Sequence, residues 1–371
     1  MKLSRYGRIA GVTLAGALAL SACGSDQAVD PAGDGATAAG NADCVDGGGT
    51  LAGAGASSQE KAMAAWVAAY TGSCEGTTVN YDAVGSGAGV DQFLDGAVAF
   101  AGSDGAVEGE ELDLATERCT GADAVNLPVY ISPIAVIFNL DGIDSLNLKP
   151  EVIANIFNGE ITTWNDEAIA ADNPDADLPD TTITPVNRSD ESGTTENFTA
   201  YLAGAAGDAW PNEPEKVWPY EPKEAAQGSS GVVSAVEGGN GTIGYVDASH
   251  AGELGTASVG VGDSFVEYSP EAAAAIVDSA EPAPGNDNDL AITLDYGTSD
   301  SSVYPIVLVS YHIACLSYAE QSDADLVKGF LSYVISEEGQ QAAADEAGSA
   351  PISAEARDKI QATLDKIEAA A

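Results

Sequence analysis

The sequence predicts an α/β protein of two lobes, each with a mostly parallel central sheet flanked by helices, joined by a hinge of two chain segments. Three observations predict it. Strand-like and helix-like segments alternate along most of the chain, the pattern of sheets with covering helices. Two long apolar runs, 126–139 and 304–314, read as two crossings between lobes. About 330 residues follow the N-terminal region, more than a single core usually takes.

The elements follow in order. Residues 50–54 form a short strand and 59–70 a helix with Met63, Trp66, Val67 and Tyr70 on its apolar face. Residues 77–84 are the next strand, 90–94 a short helix and 98–101 a third strand. In the run 126–139, Pro128 and Pro133 suggest an extended connection followed by a buried strand. Helical turns come at 152–157, and helices at 324–335 and 354–369 close the chain. Residues 251–302 are acidic and weakly patterned and suggest no element. The expected boundaries are 45–131 plus 303–371 for lobe I and 132–302 for lobe II.

The N-terminus carries a processing signal. Lys2, Arg5 and Arg8 precede an apolar stretch at 9–20 that is too short to span a bilayer comfortably. Leu20-Ser21-Ala22-Cys23 then has the small residues and cysteine of a lipoprotein cleavage site. A signal peptide over 1–22, a lipid on Cys23 and a Gly/Ala/Asp-rich tether over 23–44 are expected. The chain has 13 Lys and Arg against 58 Asp and Glu, a formal charge of −45. Nucleic acid is thereby excluded as a general partner. Cys44, Cys74, Cys119 and Cys315 allow two disulfides in three connectivities. Cys74–Cys119 is favoured because both follow helices, leaving Cys44–Cys315. His250 and His312 lie far apart and no CxxC occurs, so neither a metal site nor a cofactor is implied.

The most informative segment is Thr184-Pro-Val-Asn-Arg188-Ser-Asp190-Glu-Ser192-Gly193-Thr194-Thr195-Glu-Asn-Phe198. A strand-like run ends in an arginine, and a small-residue turn then opens an amphipathic helix. Hydroxyls, free amides, a positive helix end and a guanidinium converge, which is how proteins hold a small oxyanion. The same residues also fit a plain strand-to-helix turn with Ser192 as N-cap and Arg188 paired to Asp190. Gly53-Ala-Gly-Ala-Ser57-Ser58 and Gly85-Ser86-Gly87-Ala-Gly89 repeat the construction, and Gly102-Ser103-Asp104 ends a strand with a carboxylate. All four lie at C-terminal ends of strands, where open α/β sheets bind ligands.

In this order the four motifs resemble those of the periplasmic phosphate-binding protein of Pst-type ABC transporters, in its actinobacterial lipoprotein form. Ile156-Phe-Asn-Gly-Glu-Ile-Thr-Thr-Trp164-Asn165, Gly241-Thr-Ile-Gly-Tyr-Val246 and the Tyr304-Pro-Ile-Val run support the resemblance. It implies a class II periplasmic-binding-protein fold that closes on phosphate. By motif, Ser57, the Ser58 amide, Ser86, Arg188, Ser192, Gly193 and Thr194 would donate to the anion, Asp104 would accept from it, and Asp190 would orient Arg188. Many relatives have Thr then Phe where this chain has Ser57-Ser58. The implied role is a monomeric, non-enzymatic phosphate receptor, lipid-anchored outside the cell membrane, that serves membrane permease subunits. An exported phosphomonoesterase with Ser86 or Ser192 as nucleophile, and a surface adhesin on the same fold, are the alternatives.

Overall fold

The computed structural model describes residues 44–370. The expected signal peptide, the expected lipidation site Cys23 and all of the expected tether but Cys44 lie outside them. The first half opens β1 (Gly49–Gly55), α1 (Glu60–Ser73), β2 (Thr77–Asp82), α2 (Ser86–Leu94), β3 (Phe100–Ser103) and α3 (Gly109–Arg118). β4 (Ala124–Asn139) then carries the chain into the second half. There follow β5 (Ser145–Leu148), α4 (Pro150–Phe157), α5 (Glu167–Asp172), β6 (Thr184–Arg188), α6 (Gly193–Ala205), β7 (Glu224–Ala226), α7 (Gly228–Glu237) and β8 (Thr242–Asp247). The stretch that suggested no element holds β9 (Gly255–Val261), β10 (Ser264–Val266), α8 (Pro270–Val277), β11 (Glu281–Pro282) and β12 (Ile292–Thr293). The chain returns through β13 (Val307–Cys315) and closes with β14 (Ser317–Tyr318), α9 (Gln321–Ile335), α10 (Glu337–Ala347), α11 (Ala354–Leu364) and β15 (Glu368–Ala369).

The main sheet runs β2-β1-β3-β13-β4-β8-β6-β7. It is parallel across β2-β1-β3 and across β8-β6-β7, as expected, and antiparallel where the two long strands β13 and β4 meet their neighbours. β4 is one continuous strand rather than a connection followed by a strand. Its two prolines sit where ladder bonds are broken anyway. Pro128 adjoins a bulge at which Val129 has no partner across from Ser310 and Tyr311, and Pro133 is the last residue facing β13 before β4 turns to β8 at Ile134. The two crossings lie side by side, with Ile134 N donating to Ile306 O at 2.7 Å.

Each half has its own aromatic packing. Trp66, Tyr70, Phe100 and Phe330 are fully buried beneath α1 and α9. Phe157, Phe198, Trp218 and Tyr245 pack beneath α6, with Phe198 stacked on Tyr245 at 4.3 Å between ring centroids. Tyr245 also ties the end of β6 to the start of α6: its hydroxyl accepts from Arg188 N and lies 2.8 Å from Thr195 Oγ1.

The cysteines pair as Cys44–Cys74 and Cys119–Cys315, correcting the favoured Cys74–Cys119 and Cys44–Cys315. The chain entering β1 lies along the turn that follows α1, where Gly49 N donates to Gly76 O, so Cys44 meets Cys74. Cys315 ends β13 opposite Ala124 at the start of β4, which brings it back to the end of α3 at Cys119. Following a helix in the same half is no guide to contact. The closed loops differ greatly, at 196 and 30 residues of separation. Chain entropy predicts that Cys119→Ser with Cys315→Ser costs about 1.5 kcal/mol more stability than Cys44→Ser with Cys74→Ser. Urea unfolding of the two double variants measures the difference, and equal losses would refute the loop-length argument.

Candidate functional site

Four strand ends bring the expected residues together. β1 delivers Ser57 and Ser58 ahead of α1, β2 leads through Gly85 to Ser86, β3 ends beside Asp104, and β6 ends at Arg188 before α6 begins at Gly193. The short helix expected at 90–94 starts earlier, at Ser86, so this serine heads the helix. Ser57, Ser58, Ser86, Asp104, Arg188, Ser192, Gly193 and Thr194 are all buried.

Asp104 is the centre of the arrangement. Ser58 Oγ donates to Asp104 Oδ1 at 2.5 Å, Ser310 Oγ donates to the same oxygen at 2.6 Å, and Thr194 Oγ1 donates to Oδ2 at 2.9 Å. Its backbone is held as well, with N donating to Ser86 Oγ and O accepting from Asn197 Nδ2. A buried carboxylate needs such donors to stay in place. The Ser58 side chain, at the point where this chain departs from the Thr-Phe pattern, is one of them.

Three serines share one pattern. Ser57 Oγ accepts from Ser229 N at 3.1 Å, Ser86 Oγ from Asp104 N at 3.2 Å, and Ser192 Oγ from Thr195 N at 3.2 Å. A hydroxyl whose oxygen takes an N–H still has its own proton to give. Ser192 is therefore an N-cap and a potential donor together. Thr195 N goes to Ser192 Oγ and Glu196 N to Ser192 O, so the leading amides of α6 that remain for an anion are those of Gly193 and Thr194.

Arg188 is held by Asp190 through two bonds, Nε to Oδ1 at 2.8 Å and Nη2 to Oδ2 at 2.5 Å. Gly228 N donates to Asp190 Oδ1 as well. Burial pushes the Asp190 carboxyl up, but the bonds and charge of Arg188 outweigh it and hold the group below its usual range. The strand-to-helix reading of this segment, cap and ion pair, is thus present within the anion-site geometry.

The two halves touch across the site. A Cβ on Gly193 would lie 2.7 Å from both Ser86 Oγ and Asp104 Cβ, and one on Gly85 2.5 Å from Asp190 Oδ2. Gly85 also has φ +102°, which a side chain rarely adopts. Gly87 N donates to Glu191 O, and Lys216 Nζ pairs with Glu111 at 3.0 Å.

Several residues here escaped the sequence reading. Ser229 had a legible signal, since Gln227-Gly228-Ser229-Ser230-Gly231 is one more small-residue turn between strand and helix. Asn197 lies within the expected segment and donates to both Asp104 O and Gly193 O. Gln59, Ser310 and His312 carry no local signal. Both histidines are neutral: burial pulls His312 down to about 3, and burial, aided by Lys61, pulls His250 down to about 4. Asp247, at the end of β8, is pushed up by burial to about 6 and accepts from Ser249 and Tyr130. Among the described residues no group of three His, Cys, Asp or Glu side chains is placed to hold a metal ion, and no helix is long and apolar enough to cross a membrane.

A family model described as a PBP superfamily domain matches residues 25–338. The phosphate-binding protein PstS 3 of Mycobacterium tuberculosis is 38% identical over 374 residues, spanning 99% of this chain and 100% of that protein. The high-affinity periplasmic phosphate-binding protein PfluDING, solved with phosphate bound, superposes with a TM-score of 0.68 at 24% identity, covering 85% of this chain and 93% of its own. A phosphate-binding protein from Stenotrophomonas maltophilia gives 0.65 at 22% identity, with coverage of 85% and 93%. These solved structures establish the two-lobed fold, and the family match with the whole-length relative gives the conclusion: the chain belongs to the PBP superfamily and, within it, to the PstS-type phosphate-binding proteins.

Proposed function

We propose that this protein binds inorganic phosphate between its two halves and delivers it, outside the cytoplasmic membrane, to the permease of a phosphate ABC transporter. The relatives' names state phosphate binding. The observation that carries the reading to these residues is Asp104, a buried acceptor set among the Ser86 and Ser192 hydroxyls and the leading amides of α6, which are left to donate. Ser57, Ser86 and Ser192 would give hydroxyl protons, Ser58, Gly193 and Thr194 their amides, and Arg188 its guanidinium. Phosphate still carries a proton near neutral pH and can give it to Asp104. Sulfate cannot, and meets the carboxylate as an unpaired like charge. Sites built on such an obligate bond reject the analogue by roughly 10⁴-fold.

The hinge lies near the point where β4 changes partners, with lobe I over 45–131 plus 303–371 and lobe II over 132–302. Two disulfides suit an oxidising, extracytoplasmic setting. A lipid on Cys23 would hold the monomer at the membrane. A phosphomonoesterase would need a base on Ser86 or Ser192, whereas each of these oxygens accepts a backbone amide.

Asp104→Asn should weaken phosphate binding and shrink its preference over sulfate by at least about 100-fold. Calorimetry with both anions measures this, and an unchanged ratio would remove Asp104 from selectivity. Gly193→Ala places a methyl into the contact between the halves. It should cost phosphate affinity about 100-fold or more while melting like wild type, and an affinity within twofold would sink the close-approach argument. Glu196 gives a pH prediction. Its Oε2 is buried without a partner, and burial, then the charges of Glu111, Asp104 and Glu108 against that of Lys216, raise it from 4.5 to about 7. The folded chain therefore binds more protons than the unfolded one between these values, and stability falls as pH rises through that window. Glu196→Gln removes the penalty: it should add on the order of 3 kcal/mol relative to wild type above pH 7, and little near pH 4.5. Urea unfolding at both pH values decides, and an equal effect at each contradicts the assignment.

A further inference from the structure

Asp104 discriminates by accepting without donating, which requires the ionised carboxylate, and the structure shows a chain of groups directed at that form. A carboxylate offers about four acceptor positions. Both on Oδ1 are filled, by Ser58 and Ser310, and one on Oδ2 is filled by Thr194. One position on Oδ2 remains.

The Ser310 bond is not free to turn. A hydroxyl has a single proton, and its direction depends on what occupies the oxygen. Gln59 Nε2 donates to Ser310 Oγ at 2.5 Å and lies 3.5 Å from Tyr311 O, which fixes the amide nitrogen on this side. Gln59 Oε1 then faces His312 Nε2 at 3.0 Å. An amide oxygen only accepts, so His312 carries its proton on Nε2. The ring is held in that pose by Trp66 and Phe100, at 5.8 and 5.2 Å between centroids. His312 Nδ1 is buried with no hydrogen-bond partner among the described residues. The ring thus tolerates one unmet acceptor while its single N–H is given to Gln59. Every donor in the series points the same way: His312 to Gln59, Gln59 to Ser310, Ser310 to Asp104.

We propose that His312, Gln59 and Ser310 are positioning residues for anion selectivity, a one-way donor relay that commits the Ser310 proton to Asp104 Oδ1 and leaves Oδ2 as the acceptor for the ligand's own proton. Gln59 stands at the N-cap of α1 and Ser310 and His312 lie on β13, all in the first half, so the relay is complete without the second half. If Ser310 loses its hydroxyl, the carboxylate loses a donor to its charged form and takes a proton more readily. A protonated carboxyl can donate to sulfate, so the discrimination against it relaxes. A merely structural role for Ser310 would weaken both anions alike.

The proposal rests on the reading of Asp104 as the phosphate acceptor, and the test separates the two. Phosphate and sulfate affinities are measured by calorimetry at about pH 5.5 and pH 8 for the wild-type chain, Ser310→Ala, Ser310→Thr and His312→Phe. Ser310→Ala should narrow the phosphate-to-sulfate ratio by about tenfold or more, the loss of one charge-assisted bond, with the larger gain for sulfate at the lower pH. Ser310→Thr, which keeps the hydroxyl, should stay within about threefold of wild type. His312→Phe keeps the ring packing and frees the Gln59 amide to turn, so it should shift the ratio in the same direction by less. Should Ser310→Ala fail to fold, His312→Phe decides on the same ratio. Equal loss of both anions, or a Ser310→Ala ratio that differs from wild type by the same factor at both pH values, overturns the relay. A wild-type chain that does not prefer phosphate overturns the functional reading and the relay with it.

Discussion

A carboxylate is buried where the two halves of the sheet meet, and the rest of the site is arranged around keeping it there. Removing Asp104 from water costs several kcal/mol unless donors surround it. Those donors come from three elements: Ser58 ahead of α1, Ser310 on β13, and α6, which gives Thr194 at its start and Asn197 one turn later to the backbone carbonyl. The elements are far apart in sequence, and the main sheet aligns them by placing β1, β3, β13, β8 and β6 with their relevant ends on one side. The glycines at 85 and 193 let the backbones close to the distance these bonds require.

Electrostatics then separates affinity from net charge. The chain carries −45 overall, and the site itself is no more positive, since Arg188 is matched by Asp190 and Lys216 by Glu111. With Asp104 counted, the local sum is negative. The proposed anion would therefore be held by directed dipoles at short range, namely serine hydroxyls, the first amides of α6 and the guanidinium edge. Distant charges are screened within about 10 Å at ordinary salt. The acidic exterior and the anion site are therefore compatible, because they act over different distances.

Much of this was legible in the sequence, for a physical reason. A strand that ends in a small-residue turn before a helix has a local signature, so Ser57, Ser86, Asp104 and the 188–194 segment could be read from neighbours a few positions away. Ser229 has the same signature in a shorter, weaker strand, β7. Gln59, Ser310 and His312 have none. Their bonds join residues about 250 positions apart, and they exist only because β13 returns antiparallel beside β3. The disulfides failed for the same reason. Cys119 meets Cys315 through the pairing of β13 with β4, which helix positions do not report. Residues 251–302 form the seven-residue β9, buried on both faces and so without clean alternation, then strands as short as two residues and one eight-residue helix, too brief for periodicity to register.

The distribution of bonds on Asp104 links closure with choice of ligand. Oδ1 is filled entirely from the first half, by Ser58 and Ser310, whereas Oδ2 receives Thr194 from the second. The first half can thus fix the ionised carboxylate alone, and the second half orients the oxygen that remains. β4 runs unbroken through both halves and Ile134 is bonded to Ile306 beside it, so the halves are joined by one continuous strip of backbone. The Thr194 bond to Oδ2 and the close approach of Gly193 to Ser86 both come from the start of α6. On the proposed phosphate reading, an anion without a proton for Oδ2 would leave a buried acceptor facing a like charge, so the contacts that hold the ligand would also select it.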